Sequence, residues 1–454
     1  MSALITAANS LLILLVTCAG LVALFGQGWL LVGSLLHKQM ASQARENPLL
    51  IELALALTAG LLINLAVMLV IQSIKPAMLT SGLLAMLGLA RFWLKDRRDF
   101  QQTKPEAWLG FLVVCLLLFF PIISEPLSNW DGRSIWCFHA KMIYSAGTSG
   151  FEAGWTDKVI NFTHVDYPLM QPVLAAQVAT ALGFWNEYFP KLAIFFLLVP
   201  GIAWLFTFLR KSPGFVFLLL VIPFSLTTQT WTGSMDACLA IYFSLALLLF
   251  GRYLSSNKTV DLVSSLACLA ILTVIKNEGL LAILCGVGVI GLTLLIRLKS
   301  ELFKALPKIN WRYLVAGLVA LAPLLLWSLL KSRWGIGSDY NFGSAASLER
   351  LITRLGEGAL PYLLQQAFVQ LKYALSILAL VYLAHFLVGK PLALAGKPAL
   401  LTAGLYFLAM ILIYLMSPYK LVSQVNTSIS RTMLPVITLI CVSCFYFLES
   451  YFEQ

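Results

Sequence analysis

The stretch LGFLVVCLLLFFPII (Leu109–Ile123) is followed, after a five-residue spacer, by NWDGRSIWCFHAKMIYSAG (Asn129–Gly147). The first stretch is fifteen residues without a charge, the pattern of a helix in hydrocarbon. The second sets an acid, an arginine, a histidine and a lysine among aromatics. Ionisable side chains are costly inside a bilayer and belong at its edge, where Trp and Tyr also gather. Together the two stretches predict a spanning helix that releases the chain into a polar, interfacial segment.

The rest of the chain repeats the first half of that pattern. Of its 454 residues, 60% are hydrophobic and 11% charged, and its mean hydropathy is +0.88. A soluble domain carries about 25% charged residues, so this chain reads as an all-α polytopic membrane protein. About thirteen apolar runs are expected to span: 11–36, 51–73, 76–92, 107–123, 188–209, 213–230, 235–251, 261–275, 279–297, 311–331, 364–388, 398–416 and 432–449. No run shows the alternation of a barrel strand. The run at 11–36 has no basic residue before it and no A-x-A-like site after it, and reads as a permanent helix instead of a cleaved signal.

The net charge of +11 comes from basic residues scattered over short loops. The positive-inside rule accounts for that scatter, and without a basic stripe or motif nucleic acid is excluded as a partner. Arg91–Lys104 and Arg297–Arg312 are the most basic segments and are expected in the cytoplasm. Alternation then puts Lys38/Arg45, Arg210/Lys211, Arg252/Lys258 and Lys390/Lys397 on the same side, the N-terminus outside and the C-terminus inside. Residues 124–187, 331–363 and 417–431 face outward. Within the first of these, YPLMQPVLAAQVATALG (Tyr167–Gly183) reads as a re-entrant or interfacial helix, not a span. Cys441 and Cys444 form a C-x-x-C inside a span, where packed small hydrophobes are the simpler reading than metal or redox chemistry.

The outward segments collect the chemistry. Asp131, beside Trp130, reads as a helix cap or as a general base whose pKa partial desolvation raises. On a helix, Arg133, Cys137 and Lys141 would share one face, with His139 nearby. His164 and Asp166 in THVDYP are ligand types for a divalent ion, but no third ligand stands close, and a turn before Pro168 explains them equally well. Asp236 in GSMDACLA opens a span and reads as an acid at the positive end of a helix. Lys276 and Glu278 sit in KNEG between two apolar runs, as in a tight hairpin turn ending on Gly279. Arg431 in NTSISRTMLP enters the last run, with Lys420 upstream; it either snorkels or offers its guanidinium to a phosphate. Arg350 and Arg354 in SLERLITRL read as snorkelling from an interfacial helix.

In chain order these features resemble the GT-C superfamily of integral-membrane glycosyltransferases, which use polyprenyl-phosphate-linked sugars. Residues 105–454 carry the likeness, with a long outer loop (124–187) holding an acid near its start, Asp131, and short interfacial helices. DYPLMQPVLAAQVATALG resembles the Pro-rich turn and helix that close that loop, Met235-Asp236-Ala237 the later acidic turn, LTVIKNEGL the lysine-bearing hairpin, and SRTMLP the arginine-bearing ending. The resemblance implies an inverting glycosyltransferase on the periplasmic or extracellular face of a bacterial-type plasma membrane. It would move a sugar from a polyprenyl-phosphate donor to a glycan or lipid acceptor, with Asp131 as general base. Arg431 and Lys276 would meet the donor phosphate, beside Arg133 and Lys141. His139, His164, Asp166, Tyr167, Asp236 and Glu278 would contact substrate.

Three departures stand out. The first loop has no D-x-D, which leaves a divalent metal ion open as a cofactor without a motif for it. Residues 1–104 add three helices before the usual core, and no large soluble domain follows the last run. A transporter or flippase of lipid-linked sugars, or a polysaccharide polymerase or ligase, is the alternative reading. Transport is less favoured because no inverted repeat and no broken midplane helix is evident.

Overall fold

A computed structural model of the chain describes residues 2–37, 47–97, 104–209, 214–215, 218, 227–298, 311–338, 340 and 342–452. Every regular element among them is helical. The helices are α1 (Ser2–Leu35), α2 (Pro48–Ile71), α3 (Ile74–Arg91), α4 (Pro105–Ser124), α5 (Cys137–Ala146), α6 (Met170–Leu182), α7 (Leu192–Phe206) and α8 (Asp236–Ser256). They continue as α9 (Thr259–Leu272), α10 (Glu278–Leu298), α11 (Trp311–Trp334), α12 (Ala345–Gly356), α13 (Ala359–Val388), α14 (Lys397–Met416), α15 (Leu421–Thr432) and α16 (Leu434–Phe452).

Eleven helical segments among the described residues are long and apolar enough to cross a membrane. Each coincides with one of the thirteen expected runs. Of the other two, 213–230 lies mostly outside the described residues. The run at 261–275 gives α9, a helix of 14 residues. At about 1.5 Å per residue α9 reaches roughly 21 Å, short of a hydrocarbon core of about 30 Å. The turn after α9 carries Lys276, whose side chain is buried.

α7, α8 and α16 form the buried centre. Polar groups join it where a dry interior makes unpaired ones expensive. Tyr242 donates to Leu197 O at 2.8 Å, Ser244 to Thr438 Oγ1 at 2.5 Å, and Tyr446 to Leu248 O. Cys441 and Cys444 are buried, free thiols in α16. The outer helices expose apolar side chains instead. On α11, Leu314, Leu318, Leu325 and Leu329 are all more than half exposed, a stripe that hydrocarbon tolerates and water does not.

α6 forms in the stretch expected to be a re-entrant or interfacial helix, and its 13 residues place it among the shorter apolar helices, not the spanning ones. Ala, Val, Leu and Met surround it on all sides, and it is buried within the protein. The N-terminal helices hold it there. Asn64 of α2 donates to Gln177 Oε1 at 2.8 Å, Gln177 returns a bond at 3.3 Å, and Ser81 of α3 donates to Asn64 Oδ1 at 3.1 Å. At the same end, Ser149 N donates to Gln72 O and Ile74 N to Gly147 O. Residues 1–104 thus grip the loop at 124–187. We expect Asn64→Leu to strand the Gln177 amide and cost about 1–3 kcal/mol, read as a lower thermal-unfolding midpoint in detergent.

The helix directions agree with the charge pattern. Ile74 and Asp236 begin their helices at the end where the 124–187 loop lies, and Arg91 and Arg252 close them at the other end. Arg252 is buried there against Asp261 at 3.0 Å, and Arg297 bonds Leu254 O and Asn257 Oδ1. The loops with Lys38/Arg45 and Arg210/Lys211 lie outside the described residues.

Candidate functional site

Two glycines bring two distant loops into backbone contact. A Cβ on Gly132 would lie 2.9 Å from Thr232 O and 3.1 Å from Gly233 Cα. Gly233 has φ +99°, a backbone state that side chains disfavour. Asp131 and Asp236 flank this contact. Gly279 serves a similar end. It does not end the hairpin but lies in the first turn of α10, where a Cβ would meet Leu272 O at 2.0 Å. Only glycine lets α10 start this close to α9, and the approach carries Lys276 and Glu278 to the same place.

Arg431 completes the group from the last turn of α15. Val425 and Ile429 bury one face of that helix, and the Tyr414 hydroxyl joins Ser428 at 2.8 Å and Thr432 at 2.9 Å. Arg431 Nη1 donates to Asp131 Oδ2 and, at 3.4 Å, to Asp236 Oδ2. Asp236 Oδ2 also accepts from Ser234 Oγ at 2.5 Å, and Asp236 Oδ1 from Lys276 Nζ at 2.9 Å. Lys276 Nζ lies 3.0 Å from Glu278 Oε1. Burial alone works against the Lys276 charge, but the Asp236 and Glu278 carboxylates outweigh it and push its pKa well above the ordinary lysine value.

The Asp131 carboxylate does not cap a helix. Asn129 Oδ1 does that work, accepting from Asp131 N at 2.9 Å and Gly132 N at 3.3 Å. Residues Gly132–Trp136 then form a π turn, in which Cys137 N bonds Gly132 O. The wider turn breaks the expected i, i+4, i+8 face. Cys137 is buried, whereas Arg133 and Lys141 point to the exposed surface and do not line the cavity described below.

His139 is likewise away from the cavity. Thr163 spends its hydroxyl proton on Ile160 O at 2.7 Å, so its oxygen accepts from His139 Nε2 at 2.9 Å. Burial, then the charge of His164, lowers the His139 pKa to about 3. The unfolded chain takes up a proton below the ordinary value of about 6.5, and the folded protein refuses it down to about 3. Stability from this group is complete above about 6.5 and falls with pH at up to about 1.4 kcal/mol per unit. Thermal unfolding between pH 7 and 5 should show a steeper loss for wild type than for His139→Asn.

A cavity of about 970 Å³ opens over the ion cluster. Asp131, Asp166, Asp236, Glu278, Lys276, Lys331, Lys420 and Arg431 all line it, four acids against four cations. His164 and Tyr167 line it too, their rings stacked at 5.1 Å with His164 in the left-handed region at φ +54°. Burial first, then the Glu278 charge, pushes the Tyr167 hydroxyl well above its usual pKa. Asp166 Oδ2 accepts from Asn277 Nδ2 at 2.7 Å, and Asp166 O from Lys331 Nζ at 3.2 Å. On one side the wall is apolar: Leu280, Leu281 and Leu284 of α10, with Met410 and Ile413 of α14. Leu284 is 72% exposed on the outer surface, so the cavity runs from the ions onto the flank of α10.

Arg350 and Arg354 bond backbone carbonyls. Arg350 Nε donates to Met416 O at 3.0 Å, and Arg354 reaches Tyr414 O at 2.6 Å and Tyr419 O at 2.7 Å. They satisfy the carbonyls that end α14 and so support the rim of the cavity. Lys331, Asn277 and Tyr340 are lining residues not singled out from the sequence. Lys331 had a signal, since a lysine at the outer end of a span runs against the positive-inside bias.

Among the described residues, no three His, Cys, Asp or Glu side chains converge as metal ligands. The Asp131 and Asp236 carboxylates face Arg431 and Lys276, an arrangement that does not fit a divalent ion. Comparison with family models, curated proteins and solved structures finds no match to this chain.

Proposed function

We propose that the chain is a GT-C-type membrane glycosyltransferase that moves a sugar, with inversion, from a polyprenyl-phosphate donor to a glycan or lipid acceptor. One observation carries this reading. Asp131 and Arg431, 300 positions apart, meet in a cavity that joins a fixed pair of cations to exposed leucines. A lipid phosphate needs both: cations for its head and an apolar flank for its tail.

Asp131 takes the proton of an acceptor hydroxyl as that oxygen bonds to the sugar C1. The bond from C1 to the phosphate oxygen breaks, and the phosphate leaves with the electron pair. Arg431 and Lys276 offset the charge that gathers on it. Glu278, Asp166, Tyr167 and His164 line the remaining wall and contact sugar hydroxyls. The basic residues at the remote helix ends favour a cytoplasmic location for that end. This puts the cavity on the periplasmic or extracellular side of a bacterial-type plasma membrane, with the N-terminus outside and the C-terminus inside.

The test uses purified protein in detergent, where no compartments exist. Release of polyprenyl phosphate from a polyprenyl-phosphate sugar, dependent on acceptor, supports transfer. Intact donor after prolonged incubation with a panel of glycan and lipid acceptors removes it in favour of a transporter of the same ligand.

A further inference from the structure

The two carboxylates that share Arg431 are held differently. The Asp236 side chain is 4% exposed, and its oxygens are taken by Ser234, Lys276 and Arg431. A sugar hydroxyl reaches it only by breaking one of those bonds. The Asp131 side chain is 15% exposed and lines the open cavity. Among the described residues its carboxylate has one partner, Arg431.

Separation therefore has unequal costs. Asp236 without its cations is an uncompensated charge in a dry interior, which breaking a buried pair makes expensive. Asp131 without Arg431 is a charge on the wall of an open cavity, less buried than Asp236, so its exchange costs less. The cavity walls carry four acids and four cations, so an arriving phosphate brings charge to a site already balanced. A phosphate oxygen and a carboxylate oxygen make the same kind of bond to a guanidinium. Two ligands then compete for the outer face of Arg431, and only one of the resident acids is free to yield.

We propose that Asp236 is a positioning residue that fixes Lys276 and Arg431 as an anion cradle, and that Asp131 is the exchangeable ligand of that cradle, displaced by a phosphate-headed lipid. Resting on the phosphate reading of the cavity, this exchange adds an order to it. While Asp131 holds Arg431, its Oδ2 is turned to the guanidinium and not to an acceptor hydroxyl. Phosphate binding releases it, so the donor arms the base before the acceptor is used.

Farnesyl phosphate is the probe, with farnesol as the control lacking the head group, titrated into the full chain in zwitterionic nanodiscs. Wild type is expected to prefer farnesyl phosphate over farnesol. Asp131→Asn is expected to bind farnesyl phosphate about tenfold tighter, since the competing carboxylate is gone. Asp236→Asn is expected to bind it at least about tenfold weaker, with Asp236→Glu recovering part of the loss. Opposite signs at two acids on one arginine are not what general loosening of the fold produces. Equal or weaker binding by Asp131→Asn overturns the exchange, and unchanged binding by Asp236→Asn overturns the positioning role. Should Asp236→Asn fail to fold, the Asp131→Asn comparison decides the exchange, and Asp236→Glu with affinity equal to wild type overturns the positioning role. Loss of binding in Lys331→Ala, with none of these changes, moves the phosphate elsewhere and overturns both. Wild type and Asp131→Asn protein that both ignore the phosphate remove the phosphate reading itself.

Discussion

On the proposed transferase reading, Asp131→Asn is expected to lower sugar transfer by about 10²–10⁴-fold, the range that a positioned general base contributes, and to leave the protein folded. The separation of activity from stability follows from the local geometry. Asn129, not Asp131, satisfies the backbone at the start of this helix, so the substitution removes no cap. Asp236 retains Arg431, so the guanidinium is not left unpaired. Single-turnover release of polyprenyl phosphate in nanodiscs measures the chemical step. The rate constant falls, and the KM for donor, read from steady-state turnover, drops by about tenfold because the displaced carboxylate no longer competes. Turnover near wild type would show that another group takes the proton.

Arg431→Ala has the second large effect, and it acts on both stability and rate. The substitution leaves Asp236 with a buried charge whose compensation is halved, and breaking a buried pair costs about 3–5 kcal/mol. It also removes one of the two cations facing the leaving phosphate, a loss of about 10²–10³ in the chemical step by analogy with an oxyanion donor. Arg431→Lys separates the two contributions. A lysine restores charge near Asp236 and most of the stability, but a single ammonium does not reproduce the planar donors that meet Asp131, Asp236 and Thr427 O. We therefore expect Arg431→Lys to unfold close to wild type and to remain at least about tenfold slower than it. A variant with wild-type rate would remove Arg431 from the phosphate site.

Particular residues show why parts of the site were legible in advance. Asp131, Asp236, Lys276 and Arg431 each stand within about ten residues of an apolar run, where charges are few enough to be conspicuous. Arg350 and Arg354 are conspicuous for the same reason, yet they end a neighbouring helix and touch no other charged side chain of the cavity. Position along the chain does not distinguish a guanidinium that meets a carboxylate from one that meets a carbonyl. The misplaced face of Arg133, Cys137 and Lys141 has a different cause. A π turn needs only one more residue per turn than the α pattern allows, and side-chain type alone does not announce it. α6 was legible as a short helix but its burial was not, because burial inside protein and burial at a bilayer edge select the same apolar residues.

The sequence by itself determined the class of this protein: an all-helical chain of membrane-length segments, with its ionisable residues at the segment ends. Bilayer thickness acts on each run locally, so length and composition suffice to read it. The tertiary structure alone decided which of those residues face one another. The meeting of Asp131, Arg431 and Lys276 rests on Gly132 lying against Gly233 and on Gly279 lying against Leu272. The first joins segments about a hundred residues apart, and the second joins two helices consecutive in the chain. Packing sets such contacts, and no local pattern encodes them.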